Sequence, residues 1–287
     1  MRSIGAGSES MKFCAPALIT ALALSVSLAQ AEPCANNSYA IGTERILEVD
    51  AKATPRVGKK HFPVTLPLQK KEVVLTFDDG PWPETTPKVL EALKAECVRA
   101  TFFILGRHAE AYPGLARRIL AEGHSVGHHT YSHQILSRVP VSVAEQEIDK
   151  GIEEDDYAIY GQRRSEPVTP FFRFPGFAST PALLGNLERR GIVVFGADVW
   201  ASDWNPMTAE QEMRLTLDRL EQTKGGILLF HDTKAQTAAM LPPFLRELKR
   251  RQYRIVHIVP AGSRGALRVD GGKSLPEAAA DARAQAR

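Results

Sequence analysis

The chain has 287 residues and a formal net charge of +3 at pH 7, and 44% of its residues are hydrophobic. This length allows one sizeable core, and a single α/β barrel commonly takes about 250 residues. The mild charge, without a run of Lys and Arg interleaved with aromatic residues, argues against a nucleic-acid-binding protein. We therefore expect one folded domain with extensions and no nucleic-acid partner.

Residues 1–31 have the pattern of an export signal, with Met1 or Met11 as the start. Lys12 precedes an apolar run over residues 13–28, and Ala29-Gln30-Ala31 supplies the small residues of a cleavage site. The run is short for a bilayer-spanning helix, which needs about 20 apolar residues. We expect a cleaved signal peptide, a periplasmic or secreted protein, and no stable membrane anchor.

Signal cleavage would remove Cys14 and leave Cys34 and Cys97 as an even pair. In an oxidising compartment such a pair favours one disulfide over two free thiols. Cys34 lies in residues 32–70, which we predict to be an N-terminal extension with one short strand over 45–49. The bond would tie this extension to the helix after the first strand of the main domain.

Strand-like and helix-like segments alternate through residues 71–258. The predicted strands cover 73–77, 100–105, 125–128, 171–174, 192–197, 227–230 and 254–259, and the predicted helices cover 86–96, 112–122, 143–160, 181–190, 208–222 and 240–250. Continuous apolar strands that alternate with helices are typical of a parallel sheet covered by helices, and about seven such units predict a distorted (β/α) barrel. The tail over residues 259–287 has little periodicity and is predicted to be disordered.

Two adjacent carboxylates, Asp78 and Asp79, end the first predicted strand of the barrel and precede Gly80-Pro81. Successive strand residues face opposite ways, but a turn at Gly and Pro lets both side chains face one pocket. Like charges this close are unfavourable unless a cation neutralises them. An ordinary Asp-Gly-Pro turn would explain Asp79 but not the second carboxylate.

The third predicted strand leads into His128, His129 and, four residues further on, His133. On a helical turn, His129 and His133 would share one face, and two histidines with one carboxylate and an open position make a hydrolytic zinc site. A histidine-rich surface turn is the alternative. His128 is expected to point away from such a site. Packing or surface roles are expected for the remaining histidines, namely His61, His108, His124 and His257.

Later strands also end in polar residues: Arg173, Asp198 with Asp203 beyond it, and His231. Arg173 is suited to pair with a site carboxylate, although a generic salt bridge is equally compatible. A histidine directly after a buried strand is well placed for general acid–base chemistry. All candidates lie at the carboxyl ends of predicted parallel strands, where the active sites of such barrels assemble.

At these residues the chain resembles the polysaccharide deacetylases, the NodB-homology carbohydrate esterases, over residues 71–258. The motifs that carry the resemblance occur in order: Thr76-Phe77-Asp78-Asp79-Gly80-Pro81, His129-Thr130-Tyr131-Ser132-His133, Arg173-Phe174-Pro175, Asp203-Trp204 and Leu229-Phe230-His231. The resemblance implies a distorted (β/α) barrel and a metal-dependent hydrolase. Its substrate would be an N-acetylated amino-sugar polymer or oligomer, of chitooligosaccharide or peptidoglycan type, from which it releases acetate.

The resemblance also implies catalytic roles. Asp78 would be the catalytic base, Arg173 would orient it, and His231 would be the general acid. Direct alignment puts Trp200 where the family usually has the aspartate that tunes this histidine. The candidates for that carboxylate are therefore Asp198 and Asp203.

Metal and substrate contacts follow from the same resemblance. A divalent metal, with Zn²⁺ as the expected ion, would be held by Asp79, His129 and His133. Leu229 and Trp204 would wall the acetyl pocket. Gly176 stands where the family usually has Tyr, so an aromatic wall is lost while the backbone N–H remains for the oxyanion.

Two other functions stay open on the sequence. One is an O-acetyl esterase of the xylan type with the same site, and the other is a carbohydrate-binding protein that has lost turnover. The joint presence of the base, the metal ligands and the acid argues against the second. A metalloprotease is disfavoured because the Glu of an H-E-x-x-H motif is absent. The expected partner is the glycan substrate, and no obligate protein partner is indicated.

Overall fold

The computed structural model describes residue 34 and residues 37–263. The predicted export signal and the part of the predicted tail beyond residue 263 lie outside the described residues. None of the helices in the described part of the chain has both the length and the apolar character of a membrane-spanning segment.

The described strands form one parallel sheet. They are β1 (Thr43–Val49), β2 (Arg56–Val57), β3 (Glu72–Asp78), β4 (Thr101–Ile104), β5 (Ser125–His128), β6 (Phe171–Phe172), β7 (Val193–Phe195), β8 (Val199–Trp200), β9 (Gly226–His231) and β10 (Arg254–Pro260). Strands β8-β9-β3-β4-β5-β6-β7 are neighbours in this order, and every pairing is parallel. This path of seven strands confirms the predicted distorted (β/α) barrel. Strand β10 continues two residues into the predicted tail.

Seven α-helices are present among the described residues. They are α1 (Thr86–Ala95), α2 (Gly106–Ala111), α3 (Pro113–Ala121), α4 (Val141–Tyr160), α5 (Pro181–Arg189), α6 (Ala209–Thr223) and α7 (Ala235–Arg250). Helix α6 begins with a capping box between Thr208 and Gln211, which satisfies backbone donors at its first turn. The prediction started α7 at residue 240, five residues late. Its first turns bury the small residues Thr237 and Ala238, which give little hydrophobic periodicity.

Side-chain alternation along β3 and β9 decides which residues enter the barrel. On β3, Leu75 and Phe77 pack in the cluster under the helices, whereas Val74 belongs to the inner cluster. Because neighbouring strand residues face opposite ways, Asp78 shares the inner face with Val74. The same alternation on β9 turns His231 inward, and Asp78 lies in register with His231. The sheet thus brings a carboxylate and an imidazole together at its carboxyl edge.

The N-terminal extension is built into the sheet. Its predicted strand is β1, which pairs with β10, and the unpredicted β2 pairs with β7. The predicted disulfide between Cys34 and Cys97 is confirmed, with the two Cα atoms 5.6 Å apart. Among the described residues β8 pairs with β9 alone, so the barrel is open between β7 and β8, and the extension lies along this opening.

Candidate active site

A fully buried ion pair lies at the base of the site. Arg173 Nη1 donates to Asp78 Oδ1 at 2.7 Å and lies 2.8 Å from Thr76 Oγ1. The same guanidinium donates to the backbone carbonyls of Phe195 and Gly196, so it bridges β3 to the end of β7. Burial raises the pKa of Asp78, although the charge of Arg173 opposes that shift. Arg173 thus occupies Oδ1 of Asp78, and Oδ2 faces the site.

Asp79 turns into the same site as Asp78. Its φ of 75° is left-handed, which ends the strand alternation after β3. Consequently His129 Nε2 lies 3.9 Å from Asp78 Oδ2 and 3.5 Å from Asp79 Oδ1. The next residue, Gly80, has no room for a side chain, because a Cβ there would collide with the buried carboxylate of Asp232. The turn therefore brings both carboxylates to one histidine, which agrees with the prediction that they face one pocket.

The two site histidines lie on a loop. The prediction of a helical turn was wrong, because Thr130 and His133 have φ values of 72° and 68°. The loop is held by α4: the Tyr131 N–H donates to the Glu147 carbonyl. A Cβ at Gly151 of α4 would lie 2.5 Å from the Thr130 carbonyl carbon, so this close approach requires glycine.

Asp79, His129 and His133 form a group suited to a divalent metal. One ligand atom from each lies within 4.8 Å of the others, and His133 Nε2 is 3.3 Å from Asp79 Oδ1. That oxygen is buried and has no hydrogen-bond partner. His129 Nδ1 bonds the Arg173 carbonyl at 2.7 Å, which fixes the ring and leaves Nε2 free. One carboxylate and two imidazoles are a donor set for Zn²⁺, so these residues fit the predicted metal.

His231 is held by Asp203. His231 Nδ1 lies 2.7 Å from Asp203 Oδ1, and the His231 backbone N–H donates to Asp203 Oδ2 at 2.6 Å. Burial alone would lower the pKa of His231, but Asp203, Asp79 and Asp78 outweigh it and raise the pKa to about 9. Of the two carboxylates left open by the sequence, the partner of His231 is therefore Asp203.

Asp198 has a structural position instead. It accepts hydrogen bonds from the backbone N–H groups of Lys59 and Ile227 and from the Thr65 hydroxyl. Two of these donors belong to the N-terminal extension and one to β9. Asp198 therefore joins the extension to the barrel at its open side.

Of the residues predicted to contact substrate, Trp204 lies beside His231. The Trp204 side chain is 46% exposed, and its ring centroid is 5.9 Å from that of His231. Trp200 lies edge-on to Trp204 at 6.0 Å. Leu229 is buried on β9 two residues before His231, and Gly176 is exposed on a short 3₁₀ turn with φ 55°. An exposed aromatic ring beside an imidazole offers a surface on which a sugar ring can stack.

Sequence reasoning missed two residues at this site. His108 was assigned a packing or surface role, yet its Nδ1 lies 2.7 Å from the Asp79 carbonyl oxygen. It is on α2, a helix that the prediction lacked. Asp232 is fully buried and accepts the Thr86 hydroxyl at 2.5 Å, and its position directly after His231 was the available signal. His128 points away as predicted and contacts the buried Asp155 at 2.8 Å.

Comparisons with known proteins agree on one family. The family model described as polysaccharide deacetylase matches residues 65–195. A peptidoglycan-N-acetylglucosamine deacetylase of Bacillus cereus is 30% identical over 201 residues, which are 67% of this chain and 89% of that protein. Another such deacetylase, PgdA of Listeria monocytogenes, is 34% identical over 209 residues, 70% of this chain. The chain spans only 42% of PgdA. Among solved structures, a peptidoglycan deacetylase of Bdellovibrio bacteriovorus superposes with a TM-score of 0.67 at 30% identity, covering 76% of this chain and 59% of that chain.

Proposed function

Because this chain belongs to the polysaccharide deacetylase family, we propose that it is a metal-dependent hydrolase of N-acetyl groups on an amino-sugar polymer or oligomer. The substrate is of the peptidoglycan or chitooligosaccharide type, and the products are acetate and a free amine. One observation carries the proposal: a buried base, a three-ligand group and an acid converge. His231 Nε2 lies 3.9 Å from Asp79 Oδ2, and His129 Nε2 lies 3.9 Å from Asp78 Oδ2.

Asp79, His129 and His133 are the residues that would hold the metal. A divalent ion such as Zn²⁺ supplies Lewis-acid polarisation of a carbonyl oxygen and makes water more acidic. Burial lowers the pKa of His129 to about 3, which keeps its imidazole neutral, as a ligand must be.

Asp78 is the base in this mechanism. Arg173 occupies its Oδ1, so Oδ2 accepts a proton from the water that attacks the acetamide carbonyl. Because Arg173 is bonded at four acceptors and is 0% exposed, the carboxylate is held in one orientation before substrate arrives.

His231 is the acid. Asp203 occupies Nδ1, so Nε2 carries the proton that goes to the amine nitrogen as the C–N bond breaks. Its pKa of about 9 keeps the ring protonated near neutral pH. The Gly176 N–H is proposed to contact the oxyanion, and Trp204 and Leu229 are proposed to line the acetyl pocket.

Export of the protein is part of the proposal. A disulfide between Cys34 and Cys97 suits an oxidising compartment, where a cell-wall glycan would also be met. We propose that residues 1–31 are the signal that directs the chain there.

Acetate release from chitooligosaccharides, peptidoglycan and acetylated xylan tests the proposed function. We expect release from an N-acetylated glycan, loss of release after chelation, and recovery on adding Zn²⁺. Asp78→Asn should keep glycan binding while turnover falls by about 10²–10⁴. Release from xylan alone would make the protein an O-acetyl esterase, and binding without release from any glycan would make it a carbohydrate-binding protein.

A further inference from the structure

A buried chain of hydrogen bonds leads from His231 away from the substrate side. Behind His231, Asp203 Oδ2 lies 2.9 Å from Thr237 Oγ1. Thr237 Oγ1 lies in turn 2.9 Å from Glu212 Oε1. Glu212 is on α6 and Thr237 on α7, and both residues are 0% exposed. The chain therefore connects the acid to a carboxyl group that the proposed mechanism does not use.

The Thr237 hydroxyl has one proton, but it lies between two carboxyl groups. A hydroxyl donates one hydrogen bond and accepts others, whereas an ionised carboxylate only accepts. If Asp203 and Glu212 were both ionised, one of the two 2.9 Å oxygen pairs would contain no proton. Two lone pairs would then face each other in a dry interior, which is unfavourable. One of these carboxyl groups must therefore be protonated.

The surroundings decide which one it is. Asp203 accepts the His231 backbone N–H and lies against Nδ1 of the same ring, so its negative charge is well compensated. Glu212 is bonded through Oε1 to Thr237, and its Oε2 is buried with no hydrogen-bond partner. Burial and the charge of Asp203 raise the pKa of Glu212 to about 7. The proton therefore belongs on Glu212.

We propose that Glu212 is a positioning residue that acts as a neutral carboxylic acid. Its O–H donates to Thr237, the Thr237 hydroxyl donates to Asp203, and Asp203 is thereby fixed against His231. This inference rests on the proposed function, because it gives Glu212 a part in orienting the acid of that reaction. Three charged groups act on this series of hydrogen bonds. Asp203 lies between Thr237 and His231, and Asp78 and Asp79 act on His231 from the end of β3.

Three substitutions separate this role from simple packing. Glu212→Gln keeps an uncharged donor towards Thr237, so its kcat at pH 6 should stay near the wild-type value. Glu212→Leu removes the donor and Thr237→Val removes the relay. Each should lower kcat by about 10–100-fold with KM unchanged, by analogy with the loss of a hydrogen-bond partner behind a metal-binding histidine. Thr237→Ser is the matched control, because it keeps the hydroxyl.

The pH profile gives a readout that packing alone would not move. In the wild type, Glu212 loses its proton as the pH rises. The series of hydrogen bonds from Glu212 to His231 then loses its first donor. Gln cannot ionise, so Glu212→Gln should hold its kcat to higher pH than the wild type. Equal losses in Glu212→Gln and Glu212→Leu, with both variants folded by circular dichroism, would overturn the proposal. An alkaline limb that does not move in Glu212→Gln would overturn it as well.

An infrared measurement keeps the inference separate from the proposed activity. At pH 6 the difference between the spectra of the wild type and Glu212→Gln should contain the carbonyl band of one protonated, buried carboxylic acid. Other buried carboxyl groups with a raised pKa, such as Asp155 and Asp232, are present in both proteins and cancel in the difference. The band needs neither substrate nor turnover. If it is present while no glycan releases acetate, the proposed function fails and the protonated Glu212 stands. If it is absent at pH 6, Glu212 is ionised and the inference is wrong.

Discussion

Replacing Arg173 by Met should destabilise the fold much more than replacing Arg56 by Met. Both arginines form ion pairs of the same length, since Arg173 Nη1–Asp78 Oδ1 and Arg56 Nη2–Glu188 Oε2 are each 2.7 Å. The pairs differ in their surroundings. The side chains of the first pair are 0% and 4% exposed, whereas those of the second are 35% and 50% exposed.

The difference in burial sets the expected free energies of unfolding. An exposed ion pair contributes about 0.2–1 kcal/mol, so Arg56→Met should cost no more than that. Removing one partner of a buried pair costs about 3–5 kcal/mol, because the remaining charge has no compensation. Arg173→Met would also leave the carbonyl oxygens of Phe195 and Gly196 without their donor, so we expect a loss at the upper end of that range.

Urea unfolding followed by circular dichroism measures both losses. The double variant Asp78→Asn/Arg173→Met removes both charges of this buried pair, so it should be more stable than Arg173→Met alone. Equal losses at Arg56 and Arg173 would refute the argument that burial sets the strength of these pairs. A double variant less stable than the single one would refute the assignment of the loss to an uncompensated Asp78.

Three further predictions concern the metal, the disulfide and the response to acid. His133→Ala should lose most of its bound zinc in elemental analysis, because one of three protein ligands is gone, and full metal content would contradict the assignment. Replacing Cys34 and Cys97 by Ser should lower the free energy of unfolding by about 4 kcal/mol, because the unfolded chain is no longer restricted by a closed loop between residues 63 positions apart. An unchanged urea midpoint would refute this. Burial lowers the pKa values of His124 and His257 from 6.5 to about 3, so the folded state keeps both rings neutral while the unfolded chain protonates them. The stability that these two rings contribute should therefore be fully present above pH 6.5 and be lost as the pH falls towards 3, by about 1.4 kcal/mol per pH unit for each ring. In urea unfolding, Gln at both positions should make the free energy of unfolding depend less on pH.

The sequence was sufficient wherever a residue's place follows from its strand. Asp78 and His231 each end a buried strand, and parallel strands end at the same edge, so their proximity could be predicted. The choice between Asp198 and Asp203 could not be made, because both follow β7 and the path of the loop decides which one reaches His231. His108 was missed for a related reason: it lies on a six-residue helix too short to show a periodic pattern.

Short elements and local backbone conformations were also beyond the sequence. Strands β2 and β8 have two residues each, so they have no alternation to detect. The spacing of His129 and His133 is compatible with a helical turn, but left-handed residues in a loop produce the same convergence. Such a loop needs the glycine at position 151, which is distant in sequence and gives no local signal.

The disulfide also determines how the molecule would bear a mechanical load. A pull on the chain ahead of Cys34 passes through the sulfur–sulfur bond to Cys97, next to the end of α1. The segment between the two cysteines, which includes β1, β2 and β3, is then outside the path of the force. Tension from that side cannot unzip β1 from β10 or draw β2 away from β7. It enters the barrel through a covalent link at Cys97, just ahead of β4, instead of through the hydrogen bonds of β1 and β2.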